Sequence, residues 1–272
     1  MASSSIYLPK DVDLSLVSYG TIKSNDNGGK SIFIGYKKQP LLIQIPDMSA
    51  PFGINKWPNA AAGAPGAPAG AGGAAVPEKY SVDVSFKGSD ERPAIKALQD
   101  LMSKLDDKLV EDAMVNSLTW FKKKYPSKEV VQALYTPVIK HSKDRETGEI
   151  SNKYPPTMKL ALPMKEGRFT FEAFDAATKQ HMDILSVDLK GASIGAIVQC
   201  TGIWIAGSKF GCSWKVVQMR VKTPQSIRGY SFQATEEDLA EPNIEDDEDA
   251  EVSIPGLKKS GAAAFIDNSD ED

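Results

Sequence analysis

Ala196-Ile197-Val198-Gln199-Cys200-Thr201-Gly202-Ile203-Trp204-Ile205 and Cys212-Ser213-Trp214-Lys215-Val216-Val217-Gln218-Met219-Arg220-Val221 are separated by Ala206-Gly207-Ser208-Lys209-Phe210-Gly211. Both runs are rich in β-branched and aromatic residues and contain no proline. The short glycine-bearing connection between them predicts an antiparallel hairpin. Shorter segments of the same kind precede it. Leu14–Lys23, Ser31–Tyr36, Leu41–Ile45 and Lys79–Phe86 read as strands near the N-terminus, and Met158–Leu162, Arg168–Phe174 and Met182–Val187 as strands before the hairpin. Asn25-Asp26-Asn27-Gly28-Gly29 is a turn cluster. Seven to nine short strands in one chain suit a closed or partly open barrel.

The period changes in the middle of the chain. Ile95, Leu98, Leu101, Met102, Leu105, Leu109, Ala113 and Met114 recur at spacings of three and four, which predicts helix within 92–124, and Lys128–Leu134 adds a short turn of helix. Pro93 fits a first helical turn and Tyr125-Pro126 ends the stretch. Residues 59–77 are almost wholly Ala, Gly and Pro. Such a segment has too little apolar surface to offset its ordering entropy, so it is expected to be a disordered insertion within one domain. The fold class expected is mainly β, with a central helical insertion over 92–134.

Several function classes lack their chemistry. No run approaches the roughly 20 apolar residues of a membrane helix. Met1–Tyr7 lacks a basic and then apolar signal pattern, so a soluble intracellular protein is expected. Cys200 and Cys212 are then read as free thiols. The two histidines, His141 and His181, have neither metal-ligand nor triad spacing. Gly29-Lys30-Ser31 resembles the end of a phosphate-binding loop, but Ser24 stands where the first glycine of that motif belongs and no helix is expected to follow. Asp246-Asp247-Glu248-Asp249 has no shaped loop for a cation. No enzyme activity, cofactor or metal is expected.

The net charge of −4 conceals a division. From Glu236 to Asp272 there are 14 acidic and two basic residues, whereas the rest of the chain has 30 basic and 22 acidic residues. A basic body with an acidic end suits a polyanion binder that carries its own competitor, and equally a domain with a solubilising tail. The boundaries expected are a domain over 1–235 and a flexible tail over 236–272.

Single-stranded nucleic acid is held by cations along its phosphates and aromatic faces under its bases. Read as an unbroken strand, Cys212–Lys222 places Trp214, Val216, Gln218, Arg220 and Lys222 on one face and Lys215, Val217, Met219 and Val221 on the other. The first face suits binding and the second a core wall. Trp204, Lys209 and Phe210 extend the same hairpin, although Trp204 and Trp214 would also serve as core. Trp120, Lys122, Lys123 and Lys124 form a second basic and aromatic cluster at a helix end, where the helix dipole also favours cations. Lys153 and Tyr154, together with Tyr36, Lys37, Lys38, Lys140 and Lys143, are weaker candidates. In the tail, Phe265 and Ile266 precede Asp267, Asp270, Glu271 and Asp272, a combination suited to docking.

Lys153-Tyr154-Pro155-Pro156-Thr157, Gly202-Ile203-Trp204, Lys209-Phe210-Gly211, Trp214-Lys215, Gln218 and the acidic end together resemble the single-stranded DNA-binding proteins of large nucleocytoplasmic DNA viruses, which are related to the replication proteins of that kind in short-tailed phages. The likeness spans about residues 14–222 and the tail. It implies an OB-fold barrel, sequence-tolerant binding of single-stranded DNA in replication, recombination and repair, and a tail that contacts replication proteins such as a DNA polymerase or helicase-primase. It implies a host nuclear or cytoplasmic viral replication site, and homodimerisation is compatible with it. Phe265 lies seven residues before Asp272, whereas an aromatic closes the phage chains. The alternative is a non-enzymatic acidic interaction protein, such as a chaperone-like transcription accessory factor.

Overall fold

The computed structural model describes residues 5–25, 28–57, 78–144, 146–151, 153–224 and 231–233. The Ala/Gly/Pro run and the acidic segment with Phe265, Ile266, Asp270, Glu271 and Asp272 lie outside the described residues.

In chain order the elements that shape the molecule are β1 (Val17–Ser24), β2 (Lys30–Tyr36), β3 (Leu42–Ala50), β4 (Ile54–Trp57), β5 (Lys79–Ser85), α1 (Pro93–Val115), α2 (Ser117–Phe121), α3 (Lys128–Leu134), β6 (Tyr135–Thr136), β7 (Ile139–Lys140), β8 (Thr157–Leu162), β9 (Glu172–Asp175), β10 (Ala192–Ala206) and β11 (Lys209–Lys222). Five of these strands close a ring in the order β3-β5-β8-β11-β10, with β10 returning to β3. Every junction is antiparallel except β8 with β11, which is parallel. Taken in chain order, the five strands therefore pair as first, second, third, fifth and fourth, the Greek-key order of the OB fold. Closure is uneven. Among the described residues, Ser49 opposite Ser85 joins β3 to β5 and Ala161 opposite Lys215 joins β8 to β11, while the other junctions run over many residues. The strands β2 and β1 extend the sheet from β10 beyond the ring, so this is not a clean barrel.

The barrel is filled by alternating inward residues, among them Ile43, Ile45, Val82, Val84, Met158, Leu160, Val198, Val216 and Met219, all at most 1% exposed. The helical insertion lies between the second and third ring strands. Helix α1 starts with Pro93 in its first turn and buries Ile95, Leu98, Leu101, Met102, Leu105, Leu109, Val110 and Ala113. Asn116 interrupts the helical stretch, its Nδ2 donating to the Asp112 carbonyl at 2.8 Å. Lys122 ends α2 in the left-handed region at φ 59°. Asp106 on α1 ties the insertion to the β6–β7 corner, accepting from Tyr135 Oη at 2.6 Å, from Val138 N at 3.1 Å and from Ile139 N at 3.4 Å.

The central helical insertion and the terminal hairpin are where the sequence places them. The hairpin is longer than expected and turns through Gly207 and Ser208, with Gly207 at φ 59°. Met182–Val187 is not a strand: Asp183 folds the chain into a turn, its side chain accepting from Leu185 N at 3.0 Å and its carbonyl accepting from Ser186 Oγ at 2.7 Å. Arg168–Phe174 is broken into two short strands, Arg168–Phe169 and Glu172–Asp175. Asn25 and Gly28 form a hairpin turn before β2, as the rejection of a phosphate-binding loop requires. Among the described residues, no helix is long and apolar enough to cross a membrane.

Candidate nucleic-acid interface

Two bulges decide which side chains of the hairpin face outward. Cys200 opposes Trp214 and Gly202 opposes Ser213, which leaves Thr201 extra; Val198 opposes Val216 and Ile197 opposes Gln218, which leaves Val217 extra. Each extra residue reverses the in-out alternation beyond it. Trp214, Val216, Met219 and Val221 consequently point inward, while Lys215, Gln218, Arg220 and Lys222 lie outward. The single alternating face expected from Trp214 to Lys222 is thus corrected: a bulge divides it.

Three aromatic candidates belong to the core. Trp214 is 2%, Phe210 0% and Trp120 3% exposed. Phe210 packs against Phe121 at 5.1 Å and Tyr135 at 5.0 Å, and Trp120 against Tyr19 at 5.1 Å between ring centroids. A base could stack on these rings only after the packing opened, so they are reassigned to stability.

The outward surface over the second and third ring strands brings cations and an exposed aromatic ring together. β4 pairs with β5 on one side and β8 with β5 on the other, and β7 pairs with the start of β8. Asn55 and Trp57 from β4, Ser81 and Asp83 from β5, Lys159 from β8 and Lys140 from β7 thereby share one face. Trp57 is 54% exposed, and the Lys159 ammonium lies 4.5 Å from its ring centroid. Burial and the like charge of Lys159 hold the Lys140 ammonium below the usual lysine range, against a smaller opposing pull from Asp83. An anion placed between two such lysines relieves their repulsion.

Beside this face is a cleft walled by Pro137, Lys140, Lys159, Ala161, Trp204 and Ser213. Trp204 is half-buried and lies over Gly211, where a Cβ would come within 2.8 Å of the indole and of the Thr136 carbonyl. Glycine at 211 leaves the room that the indole occupies against the strand. Buried Trp214 also lines the cleft, and its Nε1 has no hydrogen-bond partner. Lys215, opposite Ala161, continues the basic surface across the parallel junction.

The remaining candidates are scattered. Lys209 is exposed at the hairpin turn. Tyr154 is 62% exposed, with Lys153 Nζ 5.6 Å from its ring, just before the prolines that lead into β8. Lys122, Lys123 and Lys124 are exposed after α2. Arg220 pairs with Asp47 at 2.8 Å and Gln218 donates to Glu172 at 3.2 Å, on the part of β11 that pairs with β9. Sequence reasoning missed Trp57 and Lys159 and ranked Lys140 low. Two signals were legible: a tryptophan directly before the Ala/Gly/Pro run, and a lysine alternating with Met158 and Leu160.

The face offers cations, the exposed indole of Trp57, the half-buried indole of Trp204 and polar acceptors. Among the described residues, no cluster of three or more His, Cys, Asp or Glu could hold a metal ion. Cys200 and Cys212 are free, their sulfurs 3.4 Å apart. A hydrogen bond with Cys200 and burial both raise the Cys212 thiol above its ordinary range.

The family model of DUF5871, described as a family of unknown function, matches residues 83–234. No curated protein matches the chain. Among solved structures, the chain is similar to the single-stranded DNA-binding protein of bacteriophage Enc34 in complex with ssDNA, at 12% identity and a TM-score of 0.37 over 77% of this chain and 98% of that one. It is also similar to gp2.5, a single-stranded DNA-binding protein encoded by bacteriophage T7, at 10% identity and a TM-score of 0.38 over 71% of this chain and 98% of that one.

Proposed function

The chain belongs to the DUF5871 family, and we propose that it binds single-stranded DNA, without catalysis, across the outward face of its second and third ring strands. The observation that carries this reading is the adjacency of Trp57, Lys159, Lys140 and Trp204. Bases would stack on the indoles while the ammonium groups follow the phosphates, and neither contact depends on base identity to first order. The same face of an OB barrel is a general site for oligonucleotides. Lys215, Lys209, Lys153 and Tyr154 extend it, and Lys122–Lys124 supply a separate patch of positive charge.

The role proposed is coating and protecting single strands during DNA replication, recombination and repair. The charge division supports a further element of this reading: a domain over 1–235 whose affinity is restrained by the acidic segment 236–272. In that segment Phe265 and Ile266 among carboxylates would recruit a replication partner such as a polymerase or helicase-primase.

Titration with oligo-dT, read by tryptophan fluorescence at low salt, tests the reading. Quenching that shrinks on Trp57→Ala and again on Trp204→Ala supports it, because these two tryptophans lie on the face while Trp214 and Trp120 are buried. A chain that binds no single strand at low salt overturns it.

A further inference from the structure

The basic face contains a carboxylate that phosphate contact does not explain, and beside it a buried serine. Ser81 and Asp83 lie on the outward side of β5, Ser81 opposite Asn55 and Ala161, and Asp83 opposite Lys159. Ser81 is 5% exposed and its Oγ has no hydrogen-bond partner. Asp83 Oδ2 accepts from Asn55 Nδ2 at 2.9 Å, while its Oδ1 is buried with no partner. Buried acceptors without donors are costly, and a carboxylate repels the phosphates that the surrounding lysines attract. A neutral ligand group that brings an N–H donor to Asp83 would meet both facts.

We propose that Asp83 reads a base edge, with Ser81 as a neighbouring contact, so that this face prefers cytosine, whose N4 amino group donates, over thymine, whose O4 at the same position only accepts. The inference rests on the reading of this face as a single-strand binding surface. Lys159 stands directly opposite Asp83 and holds its ammonium over the Trp57 ring. A base that stacks on Trp57 takes that place, the flexible lysine swings to a phosphate, and the base edge comes to lie beside β5. A cytosine amino group then satisfies Asp83 Oδ1, with Ser81 Oγ as a second acceptor. Thymine would oppose its O4 to a carboxylate, lone pair against lone pair.

The test is a fluorescence titration of the full chain with oligo-dC and oligo-dT of equal length, at matched salt and pH 8, where cytosine N3 is neutral. Oligo-dC is expected to bind about five-fold tighter, within the range for a directional base contact. Asp83→Asn offers thymine a donor and should bring the ratio to one or below, whereas Ser81→Ala should weaken both oligomers alike, because a hydroxyl serves N4 or O4 equally. Equal affinity for the two oligomers, or a preference for dT, overturns the base-edge reading but leaves single-strand binding standing. A ratio unchanged in Asp83→Asn also overturns it. Binding to neither oligomer removes the underlying reading.

Discussion

Lys159 holds its ammonium 4.5 Å from the centroid of the Trp57 ring, and so joins the third ring strand to the strand that precedes the Ala/Gly/Pro run. The contact occupies the aromatic surface on which a base would stack. At an exposed site such a pair is worth about 0.5–1 kcal/mol, less than a base stack of about 1–3 kcal/mol, so the exchange favours nucleic acid.

Trp57→Ala and Trp204→Ala should weaken single-strand affinity by about 1–3 kcal/mol each. Trp57→Ala should leave the melting temperature almost unchanged. Trp214→Ala should behave in the opposite way, costing about 3–5 kcal/mol of stability as a cavity in the barrel. Thermal melts and oligonucleotide titrations on the same samples check both halves.

Replacing Lys140, Lys159 or Lys215 by alanine should lower the slope of log affinity against log salt by about 0.7 for each phosphate left without its cation. Arg220→Ala should change that slope little, because its guanidinium is already paired with Asp47. Titrations at several salt concentrations give the slopes. A larger effect at Arg220 than at Lys159 would move the binding surface to the β9 side of the hairpin.

Burial raises the Asp106 carboxyl above its ordinary range, against the hydrogen bonds from Tyr135, Val138 and Ile139. The native state therefore holds this proton more tightly than the unfolded chain. The stabilisation that results is fully present below the ordinary value of about 4 and is lost as pH rises through the raised native value. The stability of the wild type relative to Asp106→Asn should accordingly fall as pH rises from about 4 toward neutrality and then level off. Denaturant melts of both chains across that range would reveal it.

Removal of residues 236–272 takes away 14 carboxylates and two lysines. Affinity for single strands should rise at low salt, and the gain should shrink as ionic strength shortens the reach of the charges. Titrating intact and shortened chains side by side checks this. Equal affinities at low salt would end the self-competition idea.

Much of the fold was legible in local pattern. The three-four spacing of Ile95, Leu98, Met102 and Leu105 gives α1, and the proline-free runs at 196–205 and 212–221 give the hairpin. What alternation cannot reveal is an inserted residue. Val217 reads as an ordinary β-branched strand residue, yet as a bulge it sends Trp214 and Gln218 to opposite sides. The binding face was harder to read because it is assembled from β4, β5, β7 and β8, which lie far apart in sequence. Lys159 and Trp57 become neighbours only through the pairing of β5 with both their strands.

The order of the ring also bears on biosynthesis. Ile43 finds its neighbour in Val198, and that partner leaves the ribosome only after the helical insertion and the third ring strand have been made. Until then the first strand presents a bare, greasy margin to whatever it meets, and closure waits on a contact of long sequence separation. Nascent chains stalled before Ala192 should therefore be captured by holdase chaperones or clump together, while those that have cleared Lys222 escape both fates.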